Sequence, residues 1–317
     1  MKNNDIDIIK YLENIKLFKN TKTVKAIRVG ASGANIYEVI DQSFHYIVKQ
    51  SRLDDNTSKD EKLPDYEKEM QFYQSIQQYN LINTPKVFYI DSNQEIGNVI
   101  VQKYYEPISK DNWNKDKIFK AIDSCAKLHS YDIDYVDNLD IRFKEFKVDT
   151  STLENAFNEW KCILEENKIV IDQSELQYIF TNFNMVCNIL NALPHNICHG
   201  DFHADNILSD NDEIVVCDWQ NICIGKGASD IAFFVNRGES EGLKIDEDQV
   251  LDQYCERLSF YTSNKINKSD VKNVMKASKV FVSFIHWPYY LKDETEEKIV
   301  GIYSKMVKSM NSIKFDQ

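Results

Sequence analysis

The spacing of apolar residues changes near residue 105, and this change constrains the fold more than any other feature of the 317-residue chain. Before it, apolar and polar residues alternate in short β-prone runs, as in half-buried strands. After it, apolar residues recur every three or four positions, which is the helical period. The pattern predicts an α+β protein with a β-rich lobe over residues 1–104 and a mainly helical lobe over residues 105–317.

The first lobe is predicted to contain short strands and one amphipathic helix. The helix is expected over residues 65–76, where Tyr66, Met70 and Tyr73 share one face. A turn is expected over residues 91–94, which read DSNQ. The strands are expected over residues 24–29, 35–40, 46–48, 86–90 and 98–103.

The second lobe is predicted to be helical with one β-like island. The island covers residues 197–224, in which two apolar runs flank a polar turn at residues 210–212. The most apolar helical stretch is expected over residues 271–291. Other helices are expected over residues 118–129, 153–166 and 174–193.

Composition narrows the possible classes of function. The formal charge of −12 argues against nucleic acid and anionic membrane surfaces as partners, because both are bound through clustered lysine and arginine. The same charge suits a cationic small substrate. Many acidic proteins, however, carry such a charge for solubility alone.

Cysteine usage and the N-terminal sequence indicate the compartment. The seven cysteines include no CxxC pair, so neither a disulfide framework, a disulfide-linked partner nor a zinc ribbon is expected. The first nineteen residues contain three acidic residues and lack the apolar run of a secretory signal. No uncharged apolar run approaches the length of about 18 residues that a membrane helix needs. A cytoplasmic protein is therefore predicted.

The densest group of polar residues lies in the β-like island. The chain reads CHGDFHADNIL from residue 198 and VVCDWQ from residue 215. Asp201 and Asn206 are therefore five positions apart, and Asp218 follows one hairpin later. Protein kinases use the same offset between the catalytic base and a metal-binding Asn, followed by a metal-binding Asp.

These residue types suit phosphoryl transfer. The reaction needs Mg²⁺ to neutralise phosphate oxygens, and a carboxylate to orient the attacking hydroxyl and accept its proton. Mg²⁺ prefers a few hard oxygen ligands and keeps several waters. Asn206 and Asp218 are the predicted Mg²⁺ ligands, and Asp201 is the predicted base. The histidines at positions 129, 195 and 203 lack the spacing of a zinc site.

The combination resembles the signature of the aminoglycoside phosphotransferase and choline kinase superfamily, in which HGD is followed by DW or DF and an acidic or amide residue. The stretch GKGASDIA from residue 225 is similar to a family segment whose Asp props the catalytic loop, so the resemblance gives Asp230 this supporting role. His199 is expected to brace the loop rather than carry a proton. The resemblance implies a two-lobed, protein-kinase-like fold with a small antiparallel β lobe and a larger, mainly helical lobe.

Further landmarks of the family occur in the first lobe. The segment YIVK, which ends at Lys49, resembles the strand whose Lys holds the α and β phosphates, and Glu69 resembles the helix residue that pairs with it. The loop GASGA at residues 30–34 is neither a Walker A motif nor a full G-x-G-x-x-G. The resemblance implies that Ser32 and Gly33 present backbone N–H groups to the β and γ phosphates.

Each of these landmarks also has an alternative interpretation. Lys49 could be a solvated lysine that protects a sheet edge, and Glu67 competes with Glu69 as its partner. The GASGA loop could be a hairpin turn that binds nothing. The aromatic run FVSFIHWPYY at residues 281–290 fits either the core or the floor of an acceptor site.

The resemblance implies an enzyme that transfers the γ-phosphoryl group of ATP or GTP to a hydroxyl of a small molecule. An aminoglycoside-type antibiotic, and hence antibiotic resistance, is one expectation, and a choline, ethanolamine or other metabolite kinase is the alternative. A cationic acceptor is expected, with Asp205, Glu239 and Glu241 as carboxylates that could attract it. A non-catalytic binding protein of the same fold remains a further alternative, whereas the absence of an A-P-E activation segment disfavours a protein kinase.

Overall fold

The computed structural model describes residues 3–27, 34–51, 63–75, 81–93, 96–136 and 146–314. The chain divides into two compact units that are discontinuous in sequence. The first unit comprises Met1–Ile108, Tyr135–Ile141 and Asp205–Ile222, and the second comprises Ser109–Asp134, Arg142–Ala204 and Cys223–Gln317. The lobes predicted over residues 1–104 and 105–317 stay a prediction, and the compact units add residues 205–222 to the N-terminal one.

The first unit is built on a five-stranded sheet in the order β1-β2-β3-β5-β4, in which all neighbours are antiparallel. The β3 strand therefore lies in the centre of the sheet, between β2 and β5. The five strands are β1 (Thr21–Ile27), β2 (Asn35–Asp41), β3 (Phe44–Ser51), β4 (Val87–Asn93) and β5 (Gly97–Lys103). The expected turn over residues 91–94 is wrong for Asp91–Asn93, because these residues continue β4 and pair with β5 as far as Gly97.

Two helices accompany this sheet, α1 (Asn3–Asn14) and α2 (Leu63–Ser75). The α1 helix was not predicted from the sequence, yet Ile8 and Leu12 are fully buried in the core of the unit. They share this core with apolar residues of the sheet, among them Val39 and Val48. The N-terminal helix is thus an integral part of the first unit.

A small second sheet explains why residues 205–222 cluster with the first unit. It has the order β6-β8-β9, formed by β6 (Glu106–Pro107), β8 (Ile207–Asp210) and β9 (Glu213–Val216). The backbone N–H of Val216 also donates to the carbonyl oxygen of Asn83 at 2.9 Å. The other strands of the predicted β-like island, β7 (Asn196–Cys198) and β10 (Cys223–Gly225), pair with each other in the second unit.

The second unit is mainly helical. Six of its eight described helices begin at residues whose side chains cap free backbone N–H groups, as Asn114 does for Lys117 and Asp246 for Gln249. None of its described helices, and none in the described part of the first unit, is both long and apolar enough to cross a membrane. The helices are α3 (Lys115–His129), α4 (Thr150–Glu166), α5 (Gln173–Ala192), α6 (Gly227–Ser240), α7 (Glu247–Thr262), α8 (Lys268–Ile285), α9 (Trp287–Leu291) and α10 (Glu296–Ser312).

The sequence pattern predicts one apolar helix over residues 271–291, but the structure divides this stretch into two helices. The α8 helix ends at Ile285, and α9 starts at Trp287 with Pro288 in its first turn. Proline lacks a backbone N–H and is disfavoured in a helix interior but tolerated in the first turn. The break at His286 therefore follows from Pro288, and it leaves Tyr289 and Tyr290 exposed while Phe281 and Phe284 are buried.

The packing of α1 generates a stability prediction. Replacement Leu12→Ala removes a fully buried side chain, and we expect it to lower the free energy of unfolding by about 2–5 kcal/mol. Urea unfolding followed by circular dichroism measures the effect. The matched control is Glu13→Ala, at the exposed neighbouring position. Equal midpoints for the two variants would show that α1 does not contribute to the core.

Candidate active site

Lys49 lies in the interior of the five-stranded sheet rather than at an edge. Its backbone is paired with Ile36 on β2 and with Ile100 on β5. The residue is only 8% exposed. Its ammonium donates to Glu69 Oε1 at 2.7 Å and to Asp218 Oδ1 at 3.0 Å. The position excludes edge protection as the reason for this lysine, and it brings three predicted site residues together.

The α2 helix decides which carboxylate meets Lys49. Glu69 is completely buried, whereas Glu67 is exposed. Phe72, one turn further along α2, stacks on Trp219 with ring centroids 4.0 Å apart and ring planes 9° from parallel. Since Trp219 follows Asp218 directly, this contact fixes α2 and the Asp218 segment against each other.

The buried ion pairs shift the pKa values of their members. Burial opposes the charge of Lys49, but the carboxylates of Glu69 and Asp218 outweigh it and raise the pKa of this lysine above its ordinary value. Burial also raises the pKa of Glu69, an effect that the adjacent ammonium counteracts. Lys49 therefore carries its positive charge at every physiological pH.

Asp218 adopts a strained backbone conformation. Its φ of 67° and ψ of 66° lie in the left-handed region, which non-glycine residues seldom occupy. The preceding N–H, that of Cys217, donates to the carbonyl oxygen of Asn206 at 2.9 Å. Strain of this kind persists only where surrounding contacts determine the conformation, and it is concentrated at functional sites.

Asn206 and Asp218 are the two residues predicted to hold Mg²⁺. Their side chains offer an amide oxygen and a carboxylate, which are the hard donors that this ion prefers. The Asp218 side chain is 29% exposed although one of its oxygens binds Lys49. The donor chemistry and the partial exposure of Asp218 thus fit the ion.

The predicted catalytic loop lies in the second unit and is held by Asp230 on α6. Asp230 Oδ2 accepts the backbone N–H of His199 at 2.8 Å, and Oδ1 accepts that of Gly200 at 3.1 Å. The N–H of Asp201 donates in turn to His199 Nδ1 at 3.2 Å. Gly200 has a φ of 81°, a conformation that favours glycine and explains the middle residue of HGD. These contacts attach the loop to α6, and the bracing roles of His199 and Asp230 stay a prediction.

Asp230 is buried but ionised. Burial would raise its pKa, but the hydrogen bonds that it accepts from His129 and from the N–H of His199 lower it below the ordinary value for an aspartate. A carboxylate that accepts several hydrogen bonds is stabilised in its charged form. Asp230 is therefore a permanent acceptor for the two N–H groups of the loop.

Two polar residues near the predicted site were not predicted to be functional. His203 Nε2 lies 3.7 Å from Asp201 Oδ2, and its position two residues after the base was the available signal. Cys217, next to Asp218, is half-buried, and burial raises the pKa of its thiol to about 12. This thiol is therefore protonated and a poor nucleophile.

Some predicted residues fall elsewhere. Ser32 and Gly33 lie outside the described residues. Glu239 forms an ion pair with Lys305 at 3.1 Å, and Glu241 pairs with Arg237 one turn away. These two carboxylates are thus neutralised by basic neighbours.

Comparison with solved structures places this geometry in a known fold class. Choline kinase LicA from Streptococcus pneumoniae matches with a TM-score of 0.61 at 17% identity, over 97% of this chain and 99% of that chain. ADP-bound aminoglycoside phosphotransferase APH(2'')-Ib matches with a TM-score of 0.57 at 18% identity, over 96% and 97%. Spectinomycin phosphotransferase APH(9)-Ia, in complex with ADP and spectinomycin, matches with a TM-score of 0.58 at 11% identity, over 96% and 97%. The predicted protein-kinase-like α+β fold is confirmed.

The family follows from the sequence itself. Residues 23–262 match the sequence model of the Phosphotransferase enzyme family, which confirms the resemblance found in the motifs. The chain belongs to this family. No curated protein sequence matches the chain.

The Lys49–Glu69 pair generates the next prediction. Replacement Glu69→Ala leaves a buried ammonium with Asp218 as its remaining partner, and we expect a loss of about 1.5–3 kcal/mol in stability, the usual value of a hydrogen bond to a charged group. Glu67→Ala, at an exposed position of the same helix, is the matched control and should unfold like the wild type. Urea unfolding curves of both variants measure the difference. A Glu69→Ala midpoint equal to that of the control would contradict a stabilising role of the pair.

Proposed function

We propose that the protein transfers the γ-phosphoryl group of ATP or GTP to a hydroxyl group of a small molecule. The observation that carries the proposal is the buried Lys49 with its two carboxylate partners, Glu69 and Asp218. Phosphoryl transfer depends mainly on fixed positive charge near the phosphates and on correct positioning. Membership of the Phosphotransferase enzyme family supports the same reaction class.

Lys49 would bind the α and β phosphates of the donor. Glu69 fixes the direction of the ammonium, since a 2.7 Å ion pair to a fully buried carboxylate leaves it little freedom. Asp218 accepts a hydrogen bond from the same ammonium. Lys49 would thereby hold this proposed metal ligand close to the positive charge that binds the phosphates. In this proposal Ser32 and Gly33 contribute backbone N–H groups to the β and γ phosphates.

Asn206 and Asp218 would hold the metal ion. When bound, Mg²⁺ supplies neutralisation of the charge on the phosphate oxygens. The backbone hydrogen bond from Cys217 to Asn206 links the segments that carry the two side chains. The left-handed conformation of Asp218 supports a functional reason for its placement.

Asp201 would orient the acceptor hydroxyl and accept its proton. Its loop is held by Asp230, through the N–H groups of His199 and Gly200. His203 Nε2 lies 3.7 Å from Asp201 Oδ2 and is thus a neighbour of the proposed base. The proton passes from the hydroxyl to Asp201 as the oxygen attacks the γ-phosphorus, and the nucleoside diphosphate leaves.

The acceptor is proposed to be an aminoglycoside-type antibiotic, with a choline- or ethanolamine-like alcohol as the alternative. Solved structures similar to this chain carry both descriptions. A cationic acceptor suits the charge of −12. Glu239 and Glu241 are paired with basic residues. The proposal of a cationic acceptor is therefore supported by the net charge of the protein and not by these two carboxylates. A cytoplasmic location, where nucleoside triphosphates are available, belongs to the same proposal.

A coupled assay of nucleoside diphosphate release tests the reaction. The screen covers aminoglycosides, choline, ethanolamine and other amino alcohols, with ATP and GTP as donors. For the best acceptor, Asp201→Asn should lower kcat by about 10²–10⁴, the usual contribution of a general base, while nucleotide affinity stays within a few fold. Asp212→Asn, in the exposed β8–β9 turn, is the control. Wild-type release that no acceptor stimulates would favour a non-catalytic binding protein.

The metal ligands generate a separate prediction. Asp218→Ala and Asn206→Ala should each reduce the enhancement of nucleotide binding by Mg²⁺, because each removes a hard oxygen ligand. Calorimetry with and without Mg²⁺ measures the enhancement. Asn206→Ala is the more specific test, since its side chain makes no ion pair with Lys49. Enhancement as large as in the wild type would exclude the mutated residue as a ligand.

A further inference from the structure

We infer that Tyr254 is a positioning residue for the catalytic loop, and that it acts through His129 and Asp230. The inference rests on the proposed function, since it concerns the loop that carries Asp201. His129 ends α3 and Tyr254 lies in α7, so neither residue is near the loop in sequence. Both residues are only 2% exposed.

A line of hydrogen bonds connects these side chains to the loop. The Tyr254 hydroxyl lies 2.9 Å from His129 Nδ1, and His129 Nε2 lies 3.2 Å from Asp230 Oδ2. The same Oδ2 atom accepts the N–H of His199. One continuous polar line thus runs from α7 through α3 and α6 to the residue that precedes Gly200 and Asp201.

The chemistry of the line fixes the tautomer of the imidazole. Asp230 is ionised and can only accept, so a neutral His129 must carry its proton on Nε2 to bond with it. Nδ1 is then an acceptor, and the Tyr254 hydroxyl is the donor that it faces. Without this hydroxyl, Nδ1 would lose the partner that fixes the orientation of the ring. Tyr254 therefore holds the imidazole in the orientation that directs Nε2–H at Asp230.

The surroundings of His129 are shaped for this arrangement. A Cβ atom at Gly227 would lie 2.4 Å from His129 Nδ1 and 2.6 Å from the Tyr254 hydroxyl. Only glycine therefore leaves room for the hydrogen bond. Asn196 secures the same corner, because its amide donates to the His129 carbonyl at 2.8 Å and accepts the Gly227 N–H at 3.1 Å.

Cys125 also faces the imidazole, with Sγ 3.5 Å from Nε2. Burial raises the pKa of this thiol well above its ordinary value. It therefore remains a neutral neighbour and does not compete as an anion with Asp230 for the His129 proton. The ionised partner of His129 in this corner is Asp230.

A second buried tyrosine of the same unit provides a matched control. The Tyr303 hydroxyl is buried and makes no hydrogen bond with the described residues. Burial raises the pKa of its hydroxyl, as it does for Tyr254. Each of the two Tyr→Phe replacements removes one buried hydroxyl group. Only Tyr254→Phe interrupts the line of hydrogen bonds to Asp230.

The kinetic test compares Tyr254→Phe with Tyr303→Phe. A misplacement of a reacting group by about 1 Å can cost about 100-fold in rate. Tyr254→Phe should lower kcat by less than this, about 10-fold, because the loop keeps its own hydrogen bonds to Asp230. The KM for nucleotide should stay within twofold, because Asp201 acts on the acceptor. Tyr303→Phe should retain the wild-type kcat. Equal effects of the two variants on kcat, or a Tyr254→Phe change in KM alone, would overturn the inference.

Variants of His129 separate positioning from simple packing. His129→Gln can place an amide N–H near the position of Nε2, whereas His129→Leu keeps bulk without a donor. We expect His129→Gln to retain more of the wild-type kcat than His129→Leu does. If either variant fails to fold, the comparison of the two tyrosines still decides the question. Equal kcat values in folded His129→Gln and His129→Leu would contradict the proposed donor.

A spectroscopic measurement distinguishes failure of this inference from failure of the proposed function. Nitrogen-15 NMR of the imidazole rings reports which nitrogen carries the proton, and His129→Gln assigns the His129 signal among the six histidines. The wild type should show the Nε2–H form, and Tyr254→Phe should show a shifted Nδ1 resonance because this nitrogen loses its hydrogen bond with the hydroxyl. A Tyr254→Phe spectrum identical to the wild type would overturn the inference even if phosphoryl transfer occurs. The expected change would support it even if no acceptor is found.

Discussion

The ammonium of Lys49 is buried in the first unit, and its charge must be compensated there. An unpaired ion in a protein interior costs several kcal/mol, so carboxylates must reach the centre of the sheet. The requirement explains why α2 presents Glu69 rather than Glu67, and why Phe72 stacks on Trp219 to hold the Asp218 segment in place. The strained backbone of Asp218 lies in the same cluster, and surrounding contacts must determine such a conformation.

The second unit applies the same physical rule to a charge of opposite sign. Asp230 is buried and ionised, and its charge is compensated by N–H groups and by His129 rather than by a lysine. Hydrogen-bond donors around a buried carboxylate stabilise the charge and also fix its orientation. In each unit, a buried ion thus makes the position of a polar loop or segment depend on the packing of distant helices.

The sequence predicted features that depend on local spacing. The offset from Asp201 to Asn206, the later Asp218 and the glycine of HGD all reflect short-range geometry, and the alternation of apolar residues identified the strands of the first sheet. Features that depend on distant partners were missed. No periodicity linked His129 with Tyr254, 125 positions later, and the apolar residues of α1 revealed their role only through packing. Pro288 did carry a readable signal for the break at His286.

The acceptor is the property that neither charge nor fold specifies. Several carboxylates of the second unit are paired with basic residues, as Glu239 is with Lys305 and Glu247 with Lys279, so the excess of negative charge acts mainly as a field of the whole molecule. Salt screens such a field within about 8 Å at physiological ionic strength, and it favours any cation equally. The similar structures bear names of different acceptors at 11–18% identity. A shared fold therefore does not identify the acceptor of this chain, because function depends on the side chains that a site carries and not on the backbone alone.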